Sequence, residues 1–295
     1  MSIPIDTNQI IKSLSSLTYG LSTKKLAHFN ALESLNKQFY LTYADAFHST
    51  REYGWRGWKE LIGLLPKSQI KVLDIGCGGG RLADFLERVW VKEQQKNIAY
   101  YLGLERSPKL LAHARARQLN SNHAWHSFDW SASCDHRPEI KSLEIKSSLE
   151  SISLSNGQQF DWVTLFGVMH HIYGFETRVR MIELCAQTLA PNAVLSISLW
   201  NFGAQARYEK KKLDWSTHLE HHQGLKAELI ENGDYLLGWA GDSHIPRYCH
   251  WMSPEEEGKF LDQIAQALPQ LSPPIITTIE GDHNRYISWR VNSHE

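Results

Sequence analysis

The sequence predicts an α/β fold: a doubly wound, mostly parallel sheet with helices on both faces and an antiparallel terminal strand. Three observations predict it. From about residue 70, short apolar runs alternate with helical patterns, which calls for a parallel sheet. The first run ends in a glycine-rich turn, "VLDIGCGGGRL" (Val72 to Leu82). The last two runs are joined by a turn and form a hairpin at one sheet edge.

The elements follow in order. Residues 8 to 40 carry Ile10, Ile11, Leu14 and Leu17, then Leu26, Phe29, Leu32 and Leu35, at helical spacing broken near Gly20. "IKVLDIG" is the first strand of the alternation. Leu82, Phe85, Leu86, Val89 and Trp90 then mark one helix face. "AYYLGLE" is the second strand, and "SPKLLAHARARQL" a helix with Ser107 as N-cap and Pro108 at its first position. A short strand leads to "SFDW". "FDWVTLFGV" is the fourth strand, Val179, Ile182, Cys185, Ala186 and Leu189 face one side of the next helix, and "NAVLSISLW" is the fifth strand. "SPEEEGKFLDQIAQAL" is a helix with Ser253 as N-cap, Pro254 at its first position and Glu256 completing a capping box. "PIITTIE" and "NRYISWR", around Gly281-Asp282, are the hairpin. We expect a helical cap or extension over 1–60 and an α/β domain over 61–295. Insertions are expected at about 131–158, polar and exposed, and at 201–252, too long for a plain loop.

Composition narrows the class. The chain has 295 residues, with 31 basic and 32 acidic side chains, so no global charge excess points to a polyanion, although a local basic stripe is allowed. Cys77, Cys134, Cys185 and Cys249 include no CxxC pair and are expected to be reduced thiols of a cytoplasmic protein. No apolar run suits a membrane span, which takes about 20 residues. The N-terminus lacks the apolar core of a cleaved signal.

The glycine turn needs a ligand. The G-x-G-x-x-G pattern from Gly76 would require glycine where Arg81 stands, and Asp74 would repel a pyrophosphate. No Gly-Lys-Ser/Thr follows, which removes a P-loop. A carboxylate before the turn suits a cationic amine, such as the α-amino group of S-adenosylmethionine. Glu105, ending the second strand, can accept from ribose hydroxyls. Asp129, ending the third, can accept from an adenine amino group, with Trp130 beside the ring. Arg106 and Phe166 complete the expected cofactor set with Asp74, Gly76, Gly78, Glu105, Asp129 and Trp130. Any one of these acids alone would be read as a solvated turn residue; three at successive strand ends, with the glycine turn at the first, make the signal.

This set resembles class I S-adenosylmethionine-dependent methyltransferases, over roughly residues 70–200 and the terminal hairpin. The resemblance implies a seven-stranded Rossmann-like sheet, with S-adenosylhomocysteine as product. The flanks "FYLTYADAFHSTREYGW", "VMHHI", "LW" and "RYCH", in that order, resemble the enzymes that esterify the carboxylate of 5-carboxymethyluridine at the tRNA wobble position. Matching positions are Tyr40, Tyr43, Phe47, Thr50, Arg51, His170, His171, Arg247, Tyr248 and His250. Cys249 stands where that family has a second tyrosine, Gly54 and Arg56 where prolines are expected, Glu105 where aspartate is usual and Gly79 where asparagine is common. The resemblance implies tRNA as partner and, as in related eukaryotic enzymes, a small zinc-binding activator subunit.

A carboxylic acid of pKa about 4 is already ionised at neutral pH, so it needs placement rather than a base. Guanidinium groups suit a carboxylate, which makes Arg51 and Arg247 the expected clamps, one on the carboxylate and one on a phosphate or the cofactor carboxylate. We expect His170 and Tyr248 beside them in the catalytic set, and Tyr43, Trp200 and His250 on the substrate. The plainer readings are a surface ion pair for Arg51, a packed histidine at 170 or 171, and core aromatics at 43 and 200. "HLEHH" (His218 to His222) has its glutamate misplaced for a zinc motif, and no metal is expected. "RYEKKKLDW" is a solvated face or a phosphate contact. Cys77 is a small packing residue. The alternative function is a small-molecule carboxyl- or O-methyltransferase of the same fold, with a closed lid over an apolar cavity instead of an open basic rim. A noncatalytic scaffold of this fold would fail to bind the cofactor.

Overall fold

The structure, a computed structural model, describes residues 7–51, 53–65, 68–130, 159–239 and 241–292. Helix α1 (Thr7–Leu14) leads through a 3-10 turn and Gly20, at φ +83°, to the long helix α2 (Thr23–Ser49). Ser22 caps α2 by accepting from the Lys25 N–H. The break at Gly20 is the expected one, but α2 runs on through the whole "FYLTYADAFHS" segment. It buries Phe29, Leu32, Leu35 and Phe39. A short helix, α3 (Trp58–Leu61), precedes the sheet.

The main sheet contains β1 (Gln69–Ile75), β2 (Asn97–Glu105), β3 (His123–Ser127), β4 (Phe160–Leu165), β5 (Leu189–Trp200), β9 (Ile275–Thr278) and β10 (Asn284–Arg290). Its order is β3-β2-β1-β4-β5-β10-β9. The first five are mutually parallel, and β10 runs antiparallel to both β5 and β9. The chain winds outward from β1 to β3 and returns at β4 on the other side of β1. That reversal opens a crevice at the carboxyl ends of β1 and β4.

Strand alternation sends neighbouring side chains to opposite faces. Val72 and Trp162 therefore join one apolar core, while Leu73 and Val163 join another on the other face. Helices α4 (Arg81–Leu86), α5 (Pro108–Arg115) and α6 (Phe175–Ala186) cover these faces. The expected helix after β1 changes to a π-turn at 87–93, yet Leu82, Phe85, Leu86, Val89 and Trp90 are all buried as its apolar spacing requires. Helix α5 stops at Arg115, several residues before the expected end.

The stretch at 201–252 holds its own structure. Strands β6 (Lys212–Leu213), β7 (Asp234–Trp239) and β8 (Asp242–His250) make a small antiparallel sheet, with helix α7 (Trp215–His221) between β6 and β7. Helix α2 lies along β8 and α5, so it crosses the carboxyl ends of the main sheet. Helix α8 (Pro254–Ala267) begins at Ser253, whose hydroxyl accepts from the Glu256 N–H. The expected capping box is only half formed, because the Glu256 carboxylate is taken by His250 and Arg178. The expected insertion at 131–158 lies outside the described residues. No described helix is long and apolar enough to cross a membrane.

Candidate active site

The glycine turn after β1 is bent by Gly76, Gly78 and Gly80, at φ +74°, +55° and +75°. L side chains rarely adopt these angles. A Cβ on Gly76 would also meet Val168 Cγ2 at 2.4 Å, whereas a Cβ on Gly78 would meet nothing within 4 Å. The backbone is thus bare toward a cavity of about 380 Å³ in the crevice.

Asp74 ends β1 on this cavity and is 2% exposed. The Tyr101 hydroxyl donates to one of its oxygens and the Thr164 hydroxyl, at 2.7 Å, to the other. Burial lifts its pKa to about 6 against the pull of these two bonds. An incoming ammonium would relieve that burial penalty, so the position fits a cationic amine. Glu105 ends β2 and accepts from the Gly78 N–H at 3.0 Å and the Ser107 N–H at 2.7 Å. These bonds hold it against the glycine turn with lone pairs left for a diol. Arg106 and Trp130 line the same cavity and share Glu33 of α2, which forms an ion pair with Arg106 and accepts from the Trp130 indole at 2.8 Å. Phe166 lines the cavity after β4. The bare turn, the two acids and the aromatic walls fit S-adenosylmethionine in chemistry. Asp129 departs from expectation. It pairs with Lys37 at 3.6 Å, and its neighbours Phe128 and Trp130 line the cavity in its place.

The other end of the cavity gathers the flanking segments. Tyr40, Phe47 and Arg51 of α2 and its C-terminal edge, His170 and His171 after β4, Trp200 at the end of β5, and Arg247 of β8 all line it. Residues spread over more than 200 positions meet because α2 and β8 both lie across the sheet's carboxyl ends. Arg247 is 5% exposed, and its guanidinium carbon lies 5.0 Å from the Phe39 ring centroid, 5.2 Å from Trp200 and 5.9 Å from Trp239. Arg51 sits 3.5 Å over Phe47 and donates to the Phe47 carbonyl and the Thr50 hydroxyl. Arg81 lies over Trp55 and Trp58 and donates to the Tyr53 carbonyl. Among the described residues, Arg51, Arg81 and Arg247 form no ion pair with a carboxylate. Burial pushes Arg51 and Arg81 down to about 10. Each also feels another arginine of the group.

His170 is buried, and its Nδ1 has no partner among the described residues. Burial, then Arg247 and Arg51, hold it well below the ordinary histidine range, so it is neutral. His170, His171 and Cys249 offer three ligand atoms within 4.8 Å of one another. The adjacent Arg247 and the two hydrogen bonds already made by His171 oppose a cation there.

Three expected residues lie elsewhere. Alternation along β8 turns Tyr248 and His250 to the face opposite Arg247. Both bond to Asp234, at 2.8 and 2.7 Å, and His250 also reaches Glu256 at 2.9 Å. They belong to a buried network, completed by Arg178 with Glu231 and Glu256, that ties β7 and β8 to α6 and α8. Tyr43 packs its ring 5.3 Å from Phe39 and does not line the cavity. In the other direction, Arg81, in the sequence a missing glycine, carries charge at the cavity. Its place at the first position of α4 was the signal.

Residues 73–195 match the methyltransferase-domain family model. A ubiquinone biosynthesis O-methyltransferase from Paracidovorax citrulli is 27% identical over 150 residues, 51% of each chain. A mitochondrial counterpart from Bos taurus is 29% identical over 136 residues, 46% of this chain and 30% of that one. The chain thus spans about half or less of these curated relatives. A Methanosarcina mazei S-adenosylmethionine-dependent methyltransferase structure superposes with a TM-score of 0.51 at 14% identity, covering 82% of this chain and 100% of that one. DhpI, solved with S-adenosylmethionine and HEP, gives 0.51 at 15% identity, over 88% and 98%. The sheet order and these superpositions make the fold that of class I methyltransferases. Residues 73–195 thus match a methyltransferase-domain model and share the fold of the superposed structures.

Proposed function

We propose that this methyltransferase transfers a methyl group from S-adenosylmethionine to an oxygen of an anionic acceptor, first of all a small carboxylic or hydroxy-aromatic acid. One observation carries the reading: Arg51, Arg81, Lys211 and Arg247 line, with aromatic rings, a hollow that shares Arg51, Arg81, Trp200 and Arg247 with the cavity, and no acid among the described residues lines it. Cations stripped of carboxylate partners suit an anionic guest. The curated relatives are named O-methyltransferases, which supports oxygen as the acceptor atom.

When bound, the cofactor supplies an electrophilic methyl on its sulfonium. The chain's own residues do the rest. Asp74 and Glu105 hold the amine and ribose ends, while Arg247 anchors the acceptor's anion between Phe39, Trp200 and Trp239. A carboxylate needs no base at neutral pH, and its rate comes from proximity and orientation. For a hydroxyl acceptor, the neutral His170, whose Nδ1 has no partner among the described residues, can orient the hydroxyl by a hydrogen bond, while burial, Arg247 and Arg51 disfavour its protonation. Trp55, Trp58 and Phe166 form an aromatic wall that keeps water out.

A second reading is favoured by a specific observation. Tyr40, Phe47, Arg51, His170, His171 and Arg247, six of the ten positions that resemble the 5-carboxymethyluridine carboxyl methyltransferases, converge on this one cavity. In that reading the carboxylate belongs to a wobble uridine, and the open cationic mouth faces tRNA. The test uses S-adenosylmethionine with a labelled methyl group, offered either aromatic carboxylates and catechols or tRNA bearing 5-carboxymethyluridine. Label that mild base releases as methanol marks an ester, and base-stable label marks an ether. Transfer to tRNA alone would displace the small-molecule reading, and transfer to neither set would remove both.

A further inference from the structure

We propose that one water, held between Arg178 and His170, fixes His170 as the Nε2–H tautomer and makes it a hydrogen-bond donor toward the acceptor. Its bearing on the acceptor rests on the reading that the acceptor brings an anionic oxygen. Two orphaned atoms point to the water. Arg178 of α6 is fully buried, and its terminal nitrogens are engaged. One donates to the Ile172 carbonyl at 2.9 Å, the other to Glu231 and Glu256 at 2.9 and 2.8 Å. Its Nε–H is buried with no partner among the described residues, and so is Nδ1 of His170. Both side chains line one small cavity of about 10 Å³. That is about the least space that admits a water, which also needs at least two polar partners.

The direction of the bonds follows from what each group can do. An arginine Nε–H only donates, so the water accepts from it. The water's own protons then need an acceptor. Of the other side chains at the cavity, His250 has both nitrogens bonded, to Asp234 and Glu256, and Trp200 has only an indole N–H to give. Leu199 has no polar atom, and Met169 and Met252 offer weakly accepting thioethers. His170 Nδ1 is the good acceptor of the set, so it carries no proton. Burial, then Arg247 and Arg51, keep the ring neutral, which leaves its one proton on Nε2. The same ring lines the larger cavity, and with Nδ1 sealed inside, Nε2 is the nitrogen left for the acceptor. An N–H suits an oxygen that is already ionised, and it cannot take a proton from a hydroxyl. His170 is thus a donor beside Arg247 rather than a base, and the site favours acceptors that arrive deprotonated, carboxylates before phenols. Arg178 is a positioning residue, through which the buried network of β7, β8, α6 and α8 reaches the reacting end of the cavity.

The test is a long-range ¹⁵N spectrum of the full chain with labelled histidine and arginine, with S-adenosylhomocysteine bound and sodium benzoate as the carboxylate probe. His170 should show a proton on Nε2 and none on Nδ1; the reverse overturns the proposal. Magnetisation should pass between the Arg178 Nε–H and a long-lived water. A missing contact overturns the bridge, and neither measurement needs a variant. Arg178→Lys keeps a cation for Glu231 and Glu256 but has no Nε–H. It should shift the His170 Nδ1 resonance and leave His126, on β3, unmoved. An unmoved Nδ1 in that variant removes Arg178 from the bridge and overturns the proposal. Benzoate separates the tautomer from the functional reading. Bound benzoate should shift the His170 Nε2 resonance without changing the tautomer. An Nε2–H tautomer that ignores benzoate supports the water bridge and counts against a carboxylate acceptor.

Discussion

At the scale of single residues, the site is governed by what burial does to charge. Asp74 is a carboxyl held up to about 6 by burial. The cofactor's ammonium prefers the ionised form, and protonation removes that partner. Cofactor affinity should therefore hold above about pH 6 and fall roughly tenfold per pH unit below it, until the bound-state pKa is reached. Calorimetry with S-adenosylhomocysteine from pH 5 to pH 8 checks this, and Asp74→Asn should flatten the profile at the weak limit. A wild-type profile already flat would assign the amine to another group. Arg247 belongs to the same scale. Arg247→Gln should lower kcat/KM about a hundredfold while sparing cofactor affinity, because it removes a buried cation at the acceptor end.

At the scale of elements, β8 divides its work by face. Arg247 and Cys249 point one way, and Tyr248 and His250 point the other into the network with Asp234, Glu256 and Arg178. Burial opposes charge on His250, but its bonds to Asp234 and Glu256 outweigh burial and raise its pKa. The sign follows. The stabilisation is fully present below the unfolded value of 6.5 and is lost as pH rises through the raised folded value. His250→Gln should cost about 3–5 kcal/mol at pH 6 by leaving a buried partner unpaired, and the gap to wild type should narrow on the alkaline side. Denaturant melts at pH 6 and pH 9 read this directly.

The same strand shows what was legible beforehand. The glycine turn, the strand-end acids, the Ser253 cap and the terminal hairpin are local patterns with periods of their own, and they could be read residue by residue. In "RYCH" the strand's period of two sends Arg247 to the cavity and Tyr248 and His250 to the opposite face, against the expectation that all three meet the substrate. The reach of α2 across the crevice depends on its contact with β8, a segment some 200 residues away, for which no local pattern exists. Arg81 stands where a dinucleotide pattern would have glycine, and its charge reaches the cavity from the first position of α4.

At the scale of the whole molecule, charge is nearly balanced, with a formal net of −1, while the cavity mouth is cationic. The attraction for an anionic acceptor is therefore local and screenable. Raising salt from about 50 to about 500 mM should increase the acceptor's KM several-fold and leave kcat nearly constant. Lys211, exposed at the rim, should contribute part of that salt slope, so Lys211→Gln should reduce the slope without altering cofactor affinity. A slope of zero in wild type would argue for a neutral acceptor.

The central claim is that this fold methylates an anionic oxygen held by Arg247. The most direct measurement follows labelled methyl from S-adenosylmethionine onto 3,4-dihydroxybenzoate and onto tRNA bearing 5-carboxymethyluridine, with wild type and Arg247→Gln side by side. The account predicts oxygen-bound label on at least one acceptor with wild type, and a loss of about a hundredfold in the variant. Transfer that survives Arg247→Gln unchanged, or label found only on nitrogen or carbon, would contradict it.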